Sequence, residues 1–350
     1  MSLPRTMRAA ILARSHEPLI VDEVELPPAL EVGQVLVRMQ YAGICGSQLG
    51  EIDAVKGPDP YLPHLLGHEG CGRVEAVGPG VRRVGIGNRV VLHWRKAAGI
   101  EAPPPRYRWR GAALNAGAVT TFNELAILAE NRLTTIDEDI PGELAAMLGC
   151  PVTTGLGTVF HEAAVRPGES VVIIGAGGVG LSEVLGARLV NADPIVVVDR
   201  TVAKLELSRR LGATHTVETG AEAEARIRAI TGRSGADAVF ENTGEAQWIE
   251  AACRLTAPQG RTVLVGVPRT ASASIQTLPL HFGQRLIGSH GGATDPDRDI
   301  PRYLGLYRRR QLPLEALVTD HCNLRNIQAA IAAMRAGTIA GRCILHFEEI

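Results

Sequence analysis

Cysteine thiolate and imidazole nitrogen are borderline-soft ligands suited to zinc, and this sequence offers both in glycine-rich settings. Cys45 lies in GICGSQ, and His68, followed by Glu69, lies in GHEGCGRVEAVGPGV. A catalytic zinc needs three protein ligands and one open position, so another donor must come from elsewhere in the chain. Cys150, in LGCPVTTGLGTV, stands where the style of the sequence changes, at the junction expected between two domains.

A second chemistry is written in one contiguous run, Gly175-Ala176-Gly177-Gly178-Val179-Gly180, which follows the apolar strand SVVIIGA and opens a helix. Gly175 allows the tight turn, Gly177 lets backbone approach a pyrophosphate, and Gly180 permits close helix packing, while the helix N-terminus faces the phosphate charge. The next apolar strand ends in Asp199, whose carboxylate can accept hydrogen bonds from both adenosine ribose hydroxyls and would repel a 2′-phosphate. NAD is therefore favoured over NADP. Arg200 tempers that preference, because a neighbouring arginine sometimes accommodates the 2′-phosphate.

These groups need two kinds of scaffold. Residues 7 to 92 read as short β-rich runs (RAAILA, LIVDEVEL, QVLVRMQYAGI, GRVEAVG, RVVLHW) broken by glycine and proline, as a rolled antiparallel sheet would be. The Pro- and Arg-rich segment from Lys96 to Gly117 shows neither helical nor strand period and reads as a long ordered loop. After about Pro151, apolar strands alternate with amphipathic stretches such as AEARIRAIT and AQWIEAACRL, the pattern of a doubly wound parallel sheet. The expected fold class is thus α/β. A Rossmann domain spans 152–288, and a β-rich domain is formed by 1–151 and 289–350, the latter with IQAAIAAMRAG as a helix and RCILHFEEI as a final strand.

With 350 residues, 45% hydrophobic, the chain can hold two cores, and a formal net charge of −1 offers no field for nucleic acid or an anionic membrane. A small-molecule partner is expected. No stretch approaches a membrane span, no export signal is recognisable, and six scattered cysteines suit reduced thiols or metal ligands, which together point to the cytoplasm.

Taken together, these residues resemble the medium-chain zinc-dependent alcohol dehydrogenase family over essentially the full length. Gly67, His68, Glu69, Gly72, Gly78 and Val81 match its zinc signature at every fixed spacing. The resemblance implies a GroES-like β-rich catalytic domain beside the Rossmann domain, with Cys45, His68 and Cys150 binding one catalytic Zn2+ per subunit and Glu69 just behind it, able to coordinate transiently. It implies that Ser47 hydrogen-bonds the substrate oxygen and starts a proton relay, that Thr154 lies near the nicotinamide, and that Lys204, Arg342 and Val267 contact the dinucleotide. Each residue alone has a plainer reading, since buried cysteines pack as small hydrophobes; the set argues for a metal. The reaction implied is hydride transfer between NAD and a small-molecule alcohol, of secondary or cyclic type, or its carbonyl. Relatives form homodimers by pairing Rossmann sheet edges, or homotetramers, and RTVLVGVP resembles that edge.

The chain also departs from the family. No cysteine lies between Cys71 and Cys150, where relatives with a structural zinc carry four. Gly50 stands where many relatives have a relay histidine and Gln48 where an acidic residue is usual, so the proton would leave through the cofactor ribose, Glu51 or His64. Trp94 resembles a pocket-lining position, or else anchors the loop that follows. Three rival readings remain: a polyol or sugar dehydrogenase, whose third zinc ligand is typically glutamate; a zinc-free quinone or enoyl reductase; and a non-catalytic dinucleotide-binding protein.

Overall fold

The alternating runs of the first third become strands because each buries an apolar face, and the β-branched runs after Pro151 become strands buried on both faces. In this computed structural model, which describes residues 3–232, 234–269 and 272–347, the chain divides into two compact units. The first runs to Cys150 and takes up Asp295–Arg308 and the chain from Val318; the second comprises Pro151–Thr294 and Arg309–Leu317. Residues 289–294 and 309–317 thus cluster with the dinucleotide unit, not with the β-rich one. Thr294 shows part of the reason, its hydroxyl donating to the Thr153 carbonyl at 2.8 Å.

The first unit contains β1 (Thr6–Leu12), β2 (Ile20–Glu25), β3 (Gln34–Gly43), α1 (Gly46–Ile52), β4 (His64–Leu65) and β5 (Glu69–Val77). It continues with β6 (Arg89–His93), β7 (Tyr107–Trp109), β8 (Ala112–Leu114), β9 (Leu125–Ala129), β10 (Leu133–Thr135) and α2 (Gly142–Met147). The second supplies α3 (Pro151–Gly157), β11 (Val171–Ile174), α4 (Gly178–Leu189), β12 (Ile195–Asp199), α5 (Val202–Leu211) and β13 (His215–Glu218). It goes on through α6 (Ala223–Thr231), β14 (Ala236–Glu241), α7 (Ala246–Leu255), β15 (Thr256–Leu264), α8 (Leu278–His281) and β16 (Arg285–Gly288). The chain then returns to the first unit with α9 (Pro296–Arg308), β17 (Val318–Asn323), α10 (Ile327–Ala336) and β18 (Arg342–His346).

In the first unit one sheet runs β4-β1-β2-β7-β8 and the other β10-β6-β5-β3-β18-β17, with β9 also on β3. Pairing is antiparallel except between β17 and β18, which lie parallel. Phe122, Leu92, Val37 and Leu345 lie in one core; Ile11, Leu36, Tyr107 and Ile127 lie in the other.

The expectation of a long ordered loop from 96 to 117 is corrected over residues 107–114, which form strands. Tyr-Arg-Trp and Ala-Ala-Leu form the hairpin β7–β8 across Arg110-Gly111, both with positive φ (51° and 77°), the two-residue turn whose twist suits a hairpin. Tyr107 fixes it from within, buried, its hydroxyl accepting the Ile127 N–H at 3.1 Å. Strands of three residues carry too little periodicity to be seen beside three consecutive prolines.

The second unit has one six-stranded parallel sheet ordered β13-β12-β11-β14-β15-β16, the 3-2-1-4-5-6 order of a dinucleotide-binding sheet. Among the described residues no helix is long and apolar enough to cross a membrane.

Candidate active site

Cys45 ends the connection out of β3 and caps α1 in extended conformation (φ −103°, ψ 153°). Its N–H is accepted at 3.1 Å by the side chain of Gln48, three residues on. His68 sits directly before β5, and Cys150 lies three residues past α2. Gly149 makes that last approach possible: a Cβ there would lie 2.3 Å from the Leu92 carbonyl and 2.9 Å from the Glu69 Cα. Segments more than 100 residues apart in sequence thereby bring one ligand atom each from Cys45, His68 and Cys150 within 4.8 Å of one another.

The electrostatics suit a cation. Cys45 is held well below the ordinary thiol range, first by a hydrogen bond from Cys150 and then by His68 and Arg342, against the opposing effect of burial. Cys150 is pushed well above that range because it donates to Cys45 and is itself buried. One thiol therefore carries the proton that binding of a metal would displace. Burial alone would depress His68, yet contact with Cys45 raises it. The side-chain amide nitrogen of Gln48 lies 2.6 Å from His68 Nδ1; because an amide nitrogen only donates, a metal at Nε2 would need the amide turned so that its oxygen accepts the Nδ1 proton.

Glu69, expected behind the metal, lies outside this three-residue cluster. It is fully buried, its pKa raised by desolvation to about 7 against the pull of Arg342, with which it pairs directly. One carboxylate oxygen, Oε2, and the Arg342 Nε are buried without a partner, so the pair is not saturated. Arg342 is accordingly an interior residue, 4% exposed, that also reaches the Cys45 side chain. Ser47, half-buried in the first turn of α1, accepts a hydrogen bond from Gln48 Nε2 at 3.2 Å. Trp94 is half-buried, with the Arg95 guanidinium 5.8 Å from its ring centroid.

In the second unit the glycine run links β11 to α4. Gly175 has φ +95°, and a Cβ on Gly180 would fall 2.0 Å from the Gly175 carbonyl, whereas one on the exposed Gly177 would meet nothing within 4 Å. The packed positions brace the turn and the open one leaves backbone accessible to a phosphate, with Gly178 and Val179 beginning α4. Asp199, at the end of β12, accepts the Ala176 N–H at 2.8 Å and the Thr201 N–H at 2.9 Å, which ties it to the same loop. Gly175 also packs against Thr243, and the following Gly244 abuts the Val267 carbonyl, which brings Val267 to this edge of the sheet. Thr154 is buried in α3, Lys204 is half-buried in α5, and Arg200 is exposed.

Sequence reasoning missed one participant in the first unit's cluster and one buried carboxylate of the second unit. Gln48 was visible only as a missing acid, yet it binds Cys45, Ser47 and His68 at once. Glu183 lies fully buried in α4, bonded to Asn242 and Thr158, with its carboxyl pushed by burial to about 8. A lone glutamate inside LSEVLGA was the available signal.

Comparison with known proteins gives two domain matches: an alcohol dehydrogenase GroES-like domain over residues 31–138 and a zinc-binding dehydrogenase domain over 178–308. Geraniol dehydrogenase of Castellaniella defragrans is 33% identical, the alignment covering 94% of this chain and 95% of that one. A solved alcohol dehydrogenase zinc-binding domain protein from Burkholderia ambifaria is 30% identical with a TM-score of 0.89, over 99% of this chain and all of its own. Benzyl alcohol dehydrogenase from Acinetobacter calcoaceticus gives a TM-score of 0.89 at 27% identity, with 99% and 100% coverage.

Proposed function

This chain belongs to the medium-chain zinc-dependent alcohol dehydrogenase family, and from that premise we propose that it interconverts a hydrophobic allylic or benzylic alcohol and its aldehyde with NAD. That it is a zinc-dependent alcohol oxidoreductase follows from the family, for which NAD is the typical cofactor. The substrate class is supported by its similarity to a geraniol dehydrogenase and a benzyl alcohol dehydrogenase. The gathering of Cys45, His68 and Cys150 carries the reading, because three donors leave a fourth zinc position for a substrate oxygen.

Cys45, His68 and Cys150 would hold the zinc, while the loop from Gly175 to Gly180, with Asp199, would hold NAD. When bound, the zinc supplies Lewis-acid polarisation of the substrate oxygen and NAD accepts the hydride. Ser47, its oxygen already accepting from Gln48, keeps its hydroxyl proton to donate and would take up the substrate proton as it passes its own on. Of the two side chains named for the proton's exit, His64 is engaged on both ring nitrogens, by Leu65 and Asp59. Glu51, its carboxyl pKa raised by burial, is the better carrier. Glu69 and Arg342 would set the charge behind the metal donors.

We also place the protein in the cytoplasm, supported by six cysteines that form no disulfide among the described residues, and as a homodimer or homotetramer. RTVLVGVP, expected to resemble the pairing edge, instead begins within β15, between β14 and β16, so the supporting observation is the exposed edge at β16, flanked by exposed Leu278 and Phe282. Elemental mass spectrometry should find zinc bound, and a panel with NAD should rank geraniol and benzyl alcohol above cyclohexanol and sorbitol. Preference for cyclohexanol would return the substrate to the cyclic class, preference for sorbitol to the polyol class. Folded protein without zinc would sink the metal reading altogether.

A further inference from the structure

Away from that centre, the first unit carries a second group of metal-ligating side chains. His321 on β17 and His346 on β18 share a face of the sheet: His321 registers with Ile344, and His346 lies two residues further along the same strand. Their rings meet edge to face with centroids 4.8 Å apart. Glu143, in the first turn of α2, reaches over this face, its Oε1 lying 3.3 Å from His321 Nε2 and 3.1 Å from His346 Nε2. Tyr41, opposite His346 on β3, packs against that imidazole at 5.0 Å. Gly142 lets α2 come this close, since a Cβ there would lie 2.3 Å from the Tyr41 ring.

We propose that Glu143, His321 and His346 form a second metal site, binding a divalent borderline cation such as Zn2+ or Cu2+ through two imidazole nitrogens and one carboxylate oxygen. Ligand atoms around a tetrahedral ion with bonds of about 2.0–2.1 Å stand roughly 3.3 Å apart, the separation found here between oxygen and nitrogen. A carboxylate that merely accepted hydrogen bonds would align with an N–H, yet His346 Nε2 is buried and makes no directed hydrogen bond despite that short approach. Two nitrogens with one oxygen select Zn2+, Cu2+ or Ni2+ over Mg2+ and Ca2+. All three side chains are partly exposed, at 32%, 52% and 38%, so the ion exchanges with solvent and keeps positions for water. This site does not depend on the proposed alcohol chemistry.

The test is titration of the full-length, zinc-containing protein with Cu2+ after an EDTA wash, followed by electron paramagnetic resonance and elemental analysis. One further equivalent with a two-nitrogen signature is expected, lost in His321→Gln and in His346→Gln and bound at least about tenfold more weakly in Glu143→Gln, all with unchanged turnover. Cys150→Ser should keep this second ion, which separates the site from the catalytic one. No second equivalent in the parent, or a second equivalent retained in both histidine variants, would overturn the proposal.

Discussion

The two units assemble their sites by opposite means. In the first, donors at positions 45, 68 and 150 and a guanidinium at 342 converge on one buried spot where charges neutralise one another. In the second, the site is mostly backbone from a single run, Gly175 to Gly180, with one carboxylate from the adjacent strand. A site made of interlocked charged side chains should fail when one is removed, whereas a site made of backbone should only weaken. Buried carboxylates repeat the contrast: Glu69 has a cation against it, while Glu183 has only an amide and a hydroxyl.

The largest effect is expected for Cys150→Ser. Zinc content and turnover should fall together, turnover by more than roughly 100-fold, beyond the range seen when a metal's supporting residues are changed. Binding of NAD, measured by fluorescence, should survive. Normal zinc and normal rate in this variant would break the contrast at its strongest point.

Arg342→Met comes next. It leaves Glu69 buried without its cation, a change that costs on the order of 3–5 kcal/mol when such a pair is split. Chemical denaturation should show that loss, and adding Glu69→Gln should recover part of it. A double variant no better than the single would mean that the arginine acts through packing alone.

The third effect depends on pH. With its folded pKa near 8 and an ordinary value of 4.5, Glu183 holds a proton in the folded protein that the unfolded chain releases. Its contribution is complete below about 4.5 and is lost as pH rises toward 8. Glu183→Gln, neutral throughout, should match the parent near pH 4.5 and exceed it by about 2–4 kcal/mol near pH 8. A stability difference that stays flat across this range would remove the distinction drawn between the two carboxylates.

Asp199→Ala should have the mildest consequence. Losing charged hydrogen bonds of about 1.5–3 kcal/mol should raise KM for NAD roughly tenfold or more and narrow the preference over NADP, while folding persists because the glycine turn is braced elsewhere. Unaltered cofactor kinetics would assign Asp199 solely to holding Ala176 and Thr201.

Much of this was legible without coordinates wherever the signal was local. Apolar alternation along β3 and β5, the continuous apolar runs of β11 and β12, and the glycine run between β11 and α4 each declare themselves within a dozen residues. The side chains proposed as zinc donors were legible through resemblance to the family, not through a local pattern. What stayed hidden were short or distant partners. The β7–β8 hairpin needed Tyr107 in a core to hold it, and residues 289–294 and 309–317 needed packing to assign them to a unit.

By itself the sequence determined the periods of its strands and helices and the glycine turn between β11 and α4, because those depend on the chemistry of near neighbours. Only the tertiary structure decided that Arg342 faces Glu69, that Gln48 joins Cys45 to His68, and that Glu143, His321 and His346 meet on one sheet face. Such meetings are set by strand register and by how closely one backbone can approach another at Gly142 and Gly149, quantities that arise from packing the whole unit and are carried by no single segment of it.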